Sequence, residues 1–359
     1  MSANQFFLCD VCRGVRAAWL AGGLLLCTAT PLRSQSPAEL PQSTEHLIIV
    51  MGAAGAEEYE KTFGAWGQGW RELADLRGWE LTLIGPHADA ETGTADTQAE
   101  DAASAADSHR DQLQAAVAAH AADPQGRLWI VLLGHGTYGG GVAKFNLVGK
   151  DVSAQELAEW LKPVVGPLVV INCASASAPF MTELASANRV LITATRSGSE
   201  INFARFGQYL AQALSDLSAD IDHDLEVSLL EAFLAATAET QRFYREEARL
   251  STEHALLDDN GDGVGTSGDF YRGIRPVKQA AAGSAVDGGT AKRMILYSLP
   301  EAPQLTAEQA AQRAELETHI DALRQQKSSL SESEYLDRLE PLMLQMAEIY
   351  AQAVPAASK

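Results

Sequence analysis

Six short apolar runs constrain the fold of this chain more than any other feature of its sequence. They consist largely of Val, Ile and Leu, which is typical of β-strands that are buried on both faces. Helical segments separate most of the runs, and such alternation favours parallel strands joined by right-handed crossovers. We therefore predict a three-layer α/β sandwich in which helices cover both faces of a mostly parallel six-stranded sheet. The runs are HLIIVMG near residue 46, ELTLIG near 80, LWIVLLG near 128, LVVIN near 168, RVLITAT near 189 and RMILYSL near 293. The predicted helices cover residues 57–76, 105–122, 153–162, 178–187, 203–217 and 226–248.

The first 29 residues have the three-part form of a secretory signal: basic residues, the apolar run Ala17–Leu26, and small residues ending at Ala29. The apolar run is too short to span a bilayer. Because Leu26 is not a small residue, we do not expect a lipid anchor at Cys27. We expect export to the periplasm or the extracellular space. The predicted segments are a signal peptide over 1–29, a linker over 30–44, the α/β domain over 45–300 and a helical hairpin over 301–359.

The charge balance argues against two classes of partner. The chain has 27 Lys and Arg residues against 47 Asp and Glu residues, which gives a formal net charge of -20. Such a protein repels the phosphates of nucleic acid and of anionic membranes. Part of the acidity lies in a low-complexity stretch over 88–107, which we expect to form a surface loop. We predict no nucleic-acid partner, no membrane span and no organic cofactor.

The cysteine count leaves a single thiol in the exported chain. Three of the four cysteines precede Ala29, and the fourth is Cys173. An exported protein with one cysteine cannot form a disulfide within its own chain. Cys173 is therefore either an inert core thiol or a reactive one.

An imidazole and this thiol follow two successive predicted strands. His135 leaves the third run between two glycines, and Cys173 ends the fourth run. Ligands gather at the carboxyl ends of the strands of a parallel sheet. If the two strands are neighbours, the pair meets the minimum requirement for a cysteine nucleophile with a histidine base. The glycines over 139–141 would then shape a mobile rim. The alternative is that the histidine is structural and the cysteine belongs to the core.

The segments LWIVLLGHG and LVVINC resemble the caspase and legumain superfamily, the clan CD cysteine peptidases, in which a His-Gly ends one strand and a Cys ends the next. The resemblance covers roughly residues 45–300, and within the superfamily the chain most resembles bacterial legumain-like proteins. It implies a caspase-like sandwich and a cysteine endopeptidase acting on a protein or peptide substrate. His135 would be the general base or acid and Cys173 the nucleophile. The amides of Gly136 and Cys173 would be the oxyanion donors.

The cysteine block departs from the pattern of this superfamily. Legumains have an acidic residue two positions before the catalytic Cys and a Gly soon after it, whereas this chain has Ile171 before Cys173 and Ala174 and Ser175 after it. The caspase signature Q-A-C-[RQG]-G is also absent. A non-catalytic caspase-like module, which binds a peptide or protein in the same crevice, therefore stays open as the alternative.

The loop TRSGSE after the fifth run supplies two candidate substrate-binding residues, Arg196 and Glu200. The resemblance implies that the corresponding region borders the specificity pocket. If Arg196 faces the cleft, we expect the substrate to have an acidic residue before the scissile bond. If Glu200 faces the cleft, we expect a basic or amide residue at that substrate position. Ordinary solvated surface charge is the other interpretation of both residues.

A calcium-binding pattern lies near the end of the α/β domain. Oxygen-bearing side chains at alternate positions, with a Gly at the sharp turn, suit a calcium loop. The predicted metal ligands are Asp258, Asn260, Asp262 and Asp269, with Gly263 at the turn. The alternative is a loop of Asx-turns without a metal. A second run has the same spacing but Leu225 in place of the Gly, and we expect it to form the acidic first turn of the helix over 226–248: Asp220, Asp222, Asp224, Ser228 and Glu231.

Overall fold

The computed structural model describes residues 45–86, 108–122, 126–280, 284–299 and 301–353 of the 359-residue chain. The predicted signal peptide, the linker over 30–44 and the acidic loop over 88–107 lie outside the described residues. Within those ranges, no helix combines the length and the apolar character that crossing a bilayer requires.

The helices and strands are named here in chain order. The helices are α1 (Glu57–Arg77), α2 (His109–His120), α3 (Ala154–Leu161), α4 (Ala178–Leu184), α5 (Phe206–Ala213), α6 (Leu229–Glu246), α7 (Ala307–Gln325) and α8 (Glu332–Gln352). The strands are β1 (Glu45–Met51), β2 (Glu80–Ile84), β3 (Arg127–Leu133), β4 (Gly136–Gly139), β5 (Val142–Phe145), β6 (Val152–Ser153), β7 (Leu168–Asn172), β8 (Arg189–Thr193), β9 (Glu226–Ser228), β10 (Leu256–Asp258), β11 (Thr266–Ser267), β12 (Tyr271–Arg272), β13 (Arg275–Pro276) and β14 (Ile295–Ser298).

Several helices begin at capping boxes that are visible in the sequence. Ser153, Ser228, Thr306 and Ser331 each accept a hydrogen bond from the backbone amide three residues later, and the Glu or Gln at that position bonds back. This exchange satisfies amide groups that the first turn leaves unpaired. It fixes where α3, α6, α7 and α8 start, close to the predicted boundaries.

The main sheet has seven strands among the described residues, in the order β11-β10-β8-β7-β3-β1-β2. The five strands from β8 to β2 run parallel, while β10 and β11 are antiparallel to their neighbours. The sixth predicted run forms β14, which pairs with β9 in a separate two-stranded sheet. The segment after α6 precedes this run in the chain and forms β10, which already pairs with β8 at that edge of the main sheet.

Alternate residues of each central strand enter two separate cores. Val169 and Ile171 of β7 point into the core beneath α1, α5 and α6, while Leu168 and Val170 enter the opposite core with residues of α2, α3 and α4. Both faces of the strand are therefore dry, which explains its uninterrupted apolar run. Helices α7 and α8 pack against each other after the sandwich. The structure confirms the predicted three-layer arrangement, its mostly parallel sheet and the C-terminal helical hairpin.

A small antiparallel sheet, in the order β4-β5-β6, follows His135 directly. Gly140 and Gly141 join β4 to β5 with φ of 58° and 80°. Two consecutive left-handed residues define the two-residue turn that matches the twist of a hairpin, and glycine adopts that backbone without steric cost. The glycine run is thus the tight turn of a hairpin rather than an irregular rim.

Candidate functional site

His135 and Cys173 follow neighbouring strands, as the sequence predicts. Leu132 of β3 lies opposite Asn172 of β7 in the parallel ladder, so both strands end at the same edge of the sheet. Cys173 belongs to the core beneath α1 and α5, and the His135 ring packs against aromatic residues of that same core. The placement along the chain is therefore right for both residues, and their surroundings decide what they can do.

The His135 ring is held in an aromatic cluster. It meets Tyr59 and Phe63 of α1 edge-on, with ring centroids 4.7 and 5.2 Å away, and Phe203 at 5.9 Å. Its Nε2 lies 3.2 Å from the Ala54 carbonyl oxygen, and because a carbonyl only accepts, Nε2 carries the proton. Burial lowers the pKa of His135, and the contact with Ala54 opposes that shift. With the proton on Nε2, Nδ1 is the ring nitrogen that can accept a proton.

The Cys173 thiol is sealed inside the protein. Its residue is 0% exposed, and the start of α5 and Trp66 cover it: a Cβ added at Gly207 would lie 2.8 Å from the Cys173 Cβ and 2.7 Å from the Trp66 ring. Burial raises the pKa of the thiol, and the negative charge of Glu253 raises it further. Across the described ranges, no hydrogen bond joins the thiol to His135. Burial and the raised pKa both oppose formation of a thiolate at Cys173, so its role as a nucleophile stays a prediction.

The two predicted oxyanion donors are also engaged. The amide of Cys173 donates to the Leu132 carbonyl at 3.0 Å as part of the sheet edge. The amide of Gly136 lies 3.3 Å from Ser175 Oγ, which donates in turn to the Gly136 carbonyl at 3.0 Å. A Cβ at Gly136 would lie 2.2 Å from the Ser175 carbonyl oxygen, so only glycine fits there. Both amides therefore have internal hydrogen-bond partners, and an oxyanion hole at this position stays a prediction.

Arg196 and Glu200 bind each other rather than facing a cleft as separate charges. Arg196 Nε lies 3.3 Å from Glu200 Oε1, and the Arg196 amide donates to Oε2 at 2.9 Å. His254 adds a hydrogen bond from its ring Nδ1 at 2.6 Å and one from its backbone amide at 3.2 Å. The Glu200 side chain is 13% exposed, whereas that of Arg196 is 60% exposed. Glu200 is an internal clamp between loops, and Arg196 alone presents charge to solvent. Sequence reasoning missed His254 because 54 residues separate it from Glu200.

The four predicted calcium ligands do not form one group. Asp258 is fully buried, and its two oxygens accept the amides of Gly261 and Gly263 at 2.8 Å each. Asn260 and Asp262 accept amides of their own loop in the same way. Asp269 instead pairs with Lys278 and Ser267, and this contact lowers its pKa. The loop matches the alternative interpretation, a chain of Asx-turns, more closely than an assembled cage.

The second acidic run is the one that gathers carboxylates. Oxygens of Asp220, Asp222 and Asp224 all lie within 4.8 Å of one another, and no other such group of three occurs in the part of the chain that the structure describes. Leu225 adopts φ of 72°, the left-handed backbone that glycine usually supplies. Helix α6 begins at Leu229, after this loop. Ser228 and Glu231 form the first turn of α6 as expected, whereas the three aspartates precede the helix because the chain turns at Leu225 first.

Comparisons with known proteins add little to this geometry. No family model matches the sequence, and no curated protein matches it. Among solved structures, the Drosophila initiator caspase Dronc is 13% identical over 62% of this chain and 81% of its own, with a TM-score of 0.36. Caspase-1 from Spodoptera frugiperda is 10% identical over 61% of this chain and 87% of its own, with a TM-score of 0.37. Neither TM-score reaches 0.5, so the α/β architecture rests on the described strands and helices themselves.

Proposed function

We propose that this protein is a non-catalytic, caspase-like module that binds an extended peptide or protein segment at the carboxyl edge of its main sheet. One observation carries the proposal: Cys173 is sealed in the core, while the hairpin beside His135 stays at the surface. The predicted leader over 1–29 adds export to the proposal.

Peptide hydrolysis by a cysteine requires an accessible thiolate, a histidine free to take its proton, and amide donors for the oxyanion. In this structure the thiol and the Gly136 amide are not available in that way. The Cys173 pKa is raised and the Gly136 amide bonds to Ser175, whereas His135 donates Nε2–H to Ala54 and keeps Nδ1 as a proton acceptor. The endopeptidase interpretation would need α5 and Trp66 to move away from the thiol.

The surface beside His135 suits binding without chemistry. Tyr138 of β4 is 45% exposed, and a Cβ at Gly198 would lie 2.7 Å from its ring, so the loop after β8 supports the hairpin from below. A surface that already has its bound conformation loses little conformational entropy when a peptide docks on it. This part of the structure therefore favours recognition of a polypeptide.

Two measurements on the full chain test the proposal. Mass spectrometry after iodoacetamide treatment near pH 7 should find Cys173 unmodified in the native protein and modified in urea. A peptide-library digestion should give no products, with Cys173→Ala indistinguishable from the parent. Fast native alkylation that slows in His135→Ala, or cleavage that disappears in Cys173→Ala, would overturn the proposal in favour of a cysteine endopeptidase.

We also propose a calcium site, at the loop over 220–231 instead of the predicted loop over 258–269, and the grouping of Asp220, Asp222 and Asp224 supports this choice. Hard oxygen donors at alternate positions fit this ion, and Asp222 and Asp224 project from that loop with exposed side chains. Calorimetric titration with calcium chloride, beside magnesium chloride, should show binding that the Asp222→Asn and Asp224→Asn double variant removes. Retention of calcium by this variant, with loss in Asp262→Asn, would move the site to the loop over 258–269.

A further inference from the structure

Strand β4 has one paired edge and one open edge. It lies at the end of the order β4-β5-β6, with Gly136, Thr137 and Tyr138 opposite Phe145, Lys144 and Ala143. The Asn146 amide donates to the His135 carbonyl at 3.0 Å, which makes Gly136 and Phe145 a non-hydrogen-bonded pair. Pair types alternate along an antiparallel ladder. The backbone groups of Thr137 therefore point to β5, and those of Gly136 and Tyr138 point away from it.

The two outward-pointing residues differ in what they meet. Both backbone groups of Gly136 are hydrogen-bonded to Ser175 Oγ. The backbone N–H and C=O of Tyr138 have no hydrogen-bond partner within the described residues, and the residue is 45% exposed. An unpaired, exposed strand edge is a template for the addition of another strand.

The charge around this edge is opposite to that of the whole protein. The chain carries a net charge of -20, but Lys144 stands exposed opposite Thr137, and Lys150 is exposed in the turn before β6. Two acidic residues lie nearby: Asp151, just before β6, accepts the Leu147 amide, and Glu156 lies 4.0 Å from Lys150, which leaves Lys144 as the lysine with no acidic partner in the part of the chain described. Arg196, two residues from the Gly198 contact, exposes 60% of its side chain. A locally basic rim on an acidic protein selects an acidic partner strand.

We infer that the open edge of β4 at Tyr138 accepts an extended acidic polypeptide segment as an additional β-strand. The Tyr138 N–H donates to a carbonyl of the segment, and the Tyr138 C=O accepts one of its amides. Lys144 and Arg196 pair with the segment's carboxylates. The inference rests on the proposed binding function and adds to it the docking edge and the partner chemistry.

Fluorescence anisotropy on the full chain tests the inference, with a fluorescein-labelled decapeptide of alternating Thr and Glu as the probe. Tyr138→Pro removes the outward N–H, whereas Tyr138→Ala retains it as the matched control. We expect about tenfold weaker binding in Tyr138→Pro, the equivalent of one hydrogen bond, and a change under about threefold in Tyr138→Ala. Lys144→Gln should weaken binding and reduce its salt dependence. A decapeptide of alternating Thr and Lys should not bind.

A second probe does not depend on how the variants fold. The same Thr and Glu decapeptide, N-methylated at every second residue along one edge, keeps its side chains but cannot pair as a strand on that edge. Two such peptides, one for each edge, should differ from each other in their affinity for the wild-type protein, and at least one should lose binding. Three results would each overturn strand addition. They are equal affinity of all three peptides, equal weakening of binding by Tyr138→Pro and Tyr138→Ala, and no binding of the unmodified probe. None of these results would restore peptidase activity, which the alkylation and digestion measurements test separately.

Discussion

Replacing Cys173 by Ser separates a core thiol from a catalytic one through stability alone. The side chain is wholly enclosed by Trp66, Gly207 and the rest of the core, and no acceptor lies within hydrogen-bonding distance of it among the described residues. A buried hydroxyl without a partner costs about 1–3 kcal/mol in proteins. Cys173→Ala removes one sulfur atom and should cost about 1 kcal/mol. We therefore expect Ser to be less stable than Ala, by about 1 kcal/mol or more.

Equilibrium unfolding in urea, followed by tryptophan fluorescence, measures this order directly. Val165→Thr is the matched control, because Val165 is exposed and a hydroxyl there should change the free energy of unfolding by less than about 0.5 kcal/mol. The reasoning fails if Cys173→Ser is as stable as the wild type, or more stable than Cys173→Ala. Either result would mean that the hydroxyl reaches water and that the site is open.

Three further predictions follow from buried contacts. Burial raises the pKa of Asp287 to about 7. The protonated carboxyl therefore contributes to the stability of the fold below the unfolded pKa near 4, and this contribution is lost as the pH rises through 7. Asp287→Asn should flatten the dependence of the melting temperature on pH between about 4 and 8. Glu253 accepts the amides of Arg205 and Phe206 at the start of α5, so Glu253→Ala should lower the free energy of unfolding by about 2 kcal/mol or more and speed alkylation of Cys173 by iodoacetamide. Gly136→Ala places a methyl group 2.2 Å from the Ser175 carbonyl and should cost about 1–3 kcal/mol in urea unfolding, whereas Gly139→Ala, with open space around it, should cost less than about 1 kcal/mol.

The fold was predictable because its signals are local. A strand buried on both faces has to be apolar at every position. Each capping box, Ser153 with Glu156 and Ser228 with Glu231, marks a helix start by two residues that lie three positions apart in the sequence. The partner of a strand is not a local property. The run around Ile295 has the composition of a central strand, yet it pairs with β9, since β10 already covers the β8 edge.

The sequence predicts where His135 and Cys173 lie relative to the strands, but it does not predict how far their side chains are exposed. The sequence shows that His135 and Cys173 leave successive strands, but Trp66 and Gly207, which cover the thiol, lie far from Cys173 along the chain. The carboxylates gather at a different loop from the one that the calcium pattern selects. A search for Gly at the turn favours Gly263 over Leu225, because leucine rarely adopts positive φ; the structure shows Leu225 in that conformation, with three carboxylates around the turn.

The Gly136 amide has an internal hydrogen-bond partner, whereas the Tyr138 backbone has none among the described residues. This difference is the reason that we propose binding at this edge rather than hydrolysis. A substrate that used the Gly136 amide would first have to break its contact with Ser175, and such a bond contributes about 1 kcal/mol. It would also have to displace α5 to reach a thiol that holds its proton. The Tyr138 backbone has no internal contact to lose, so a strand that pairs with it gains its hydrogen bonds without that opposing cost. A polypeptide arriving at this edge therefore meets a surface that can hold it and a thiol that it cannot reach.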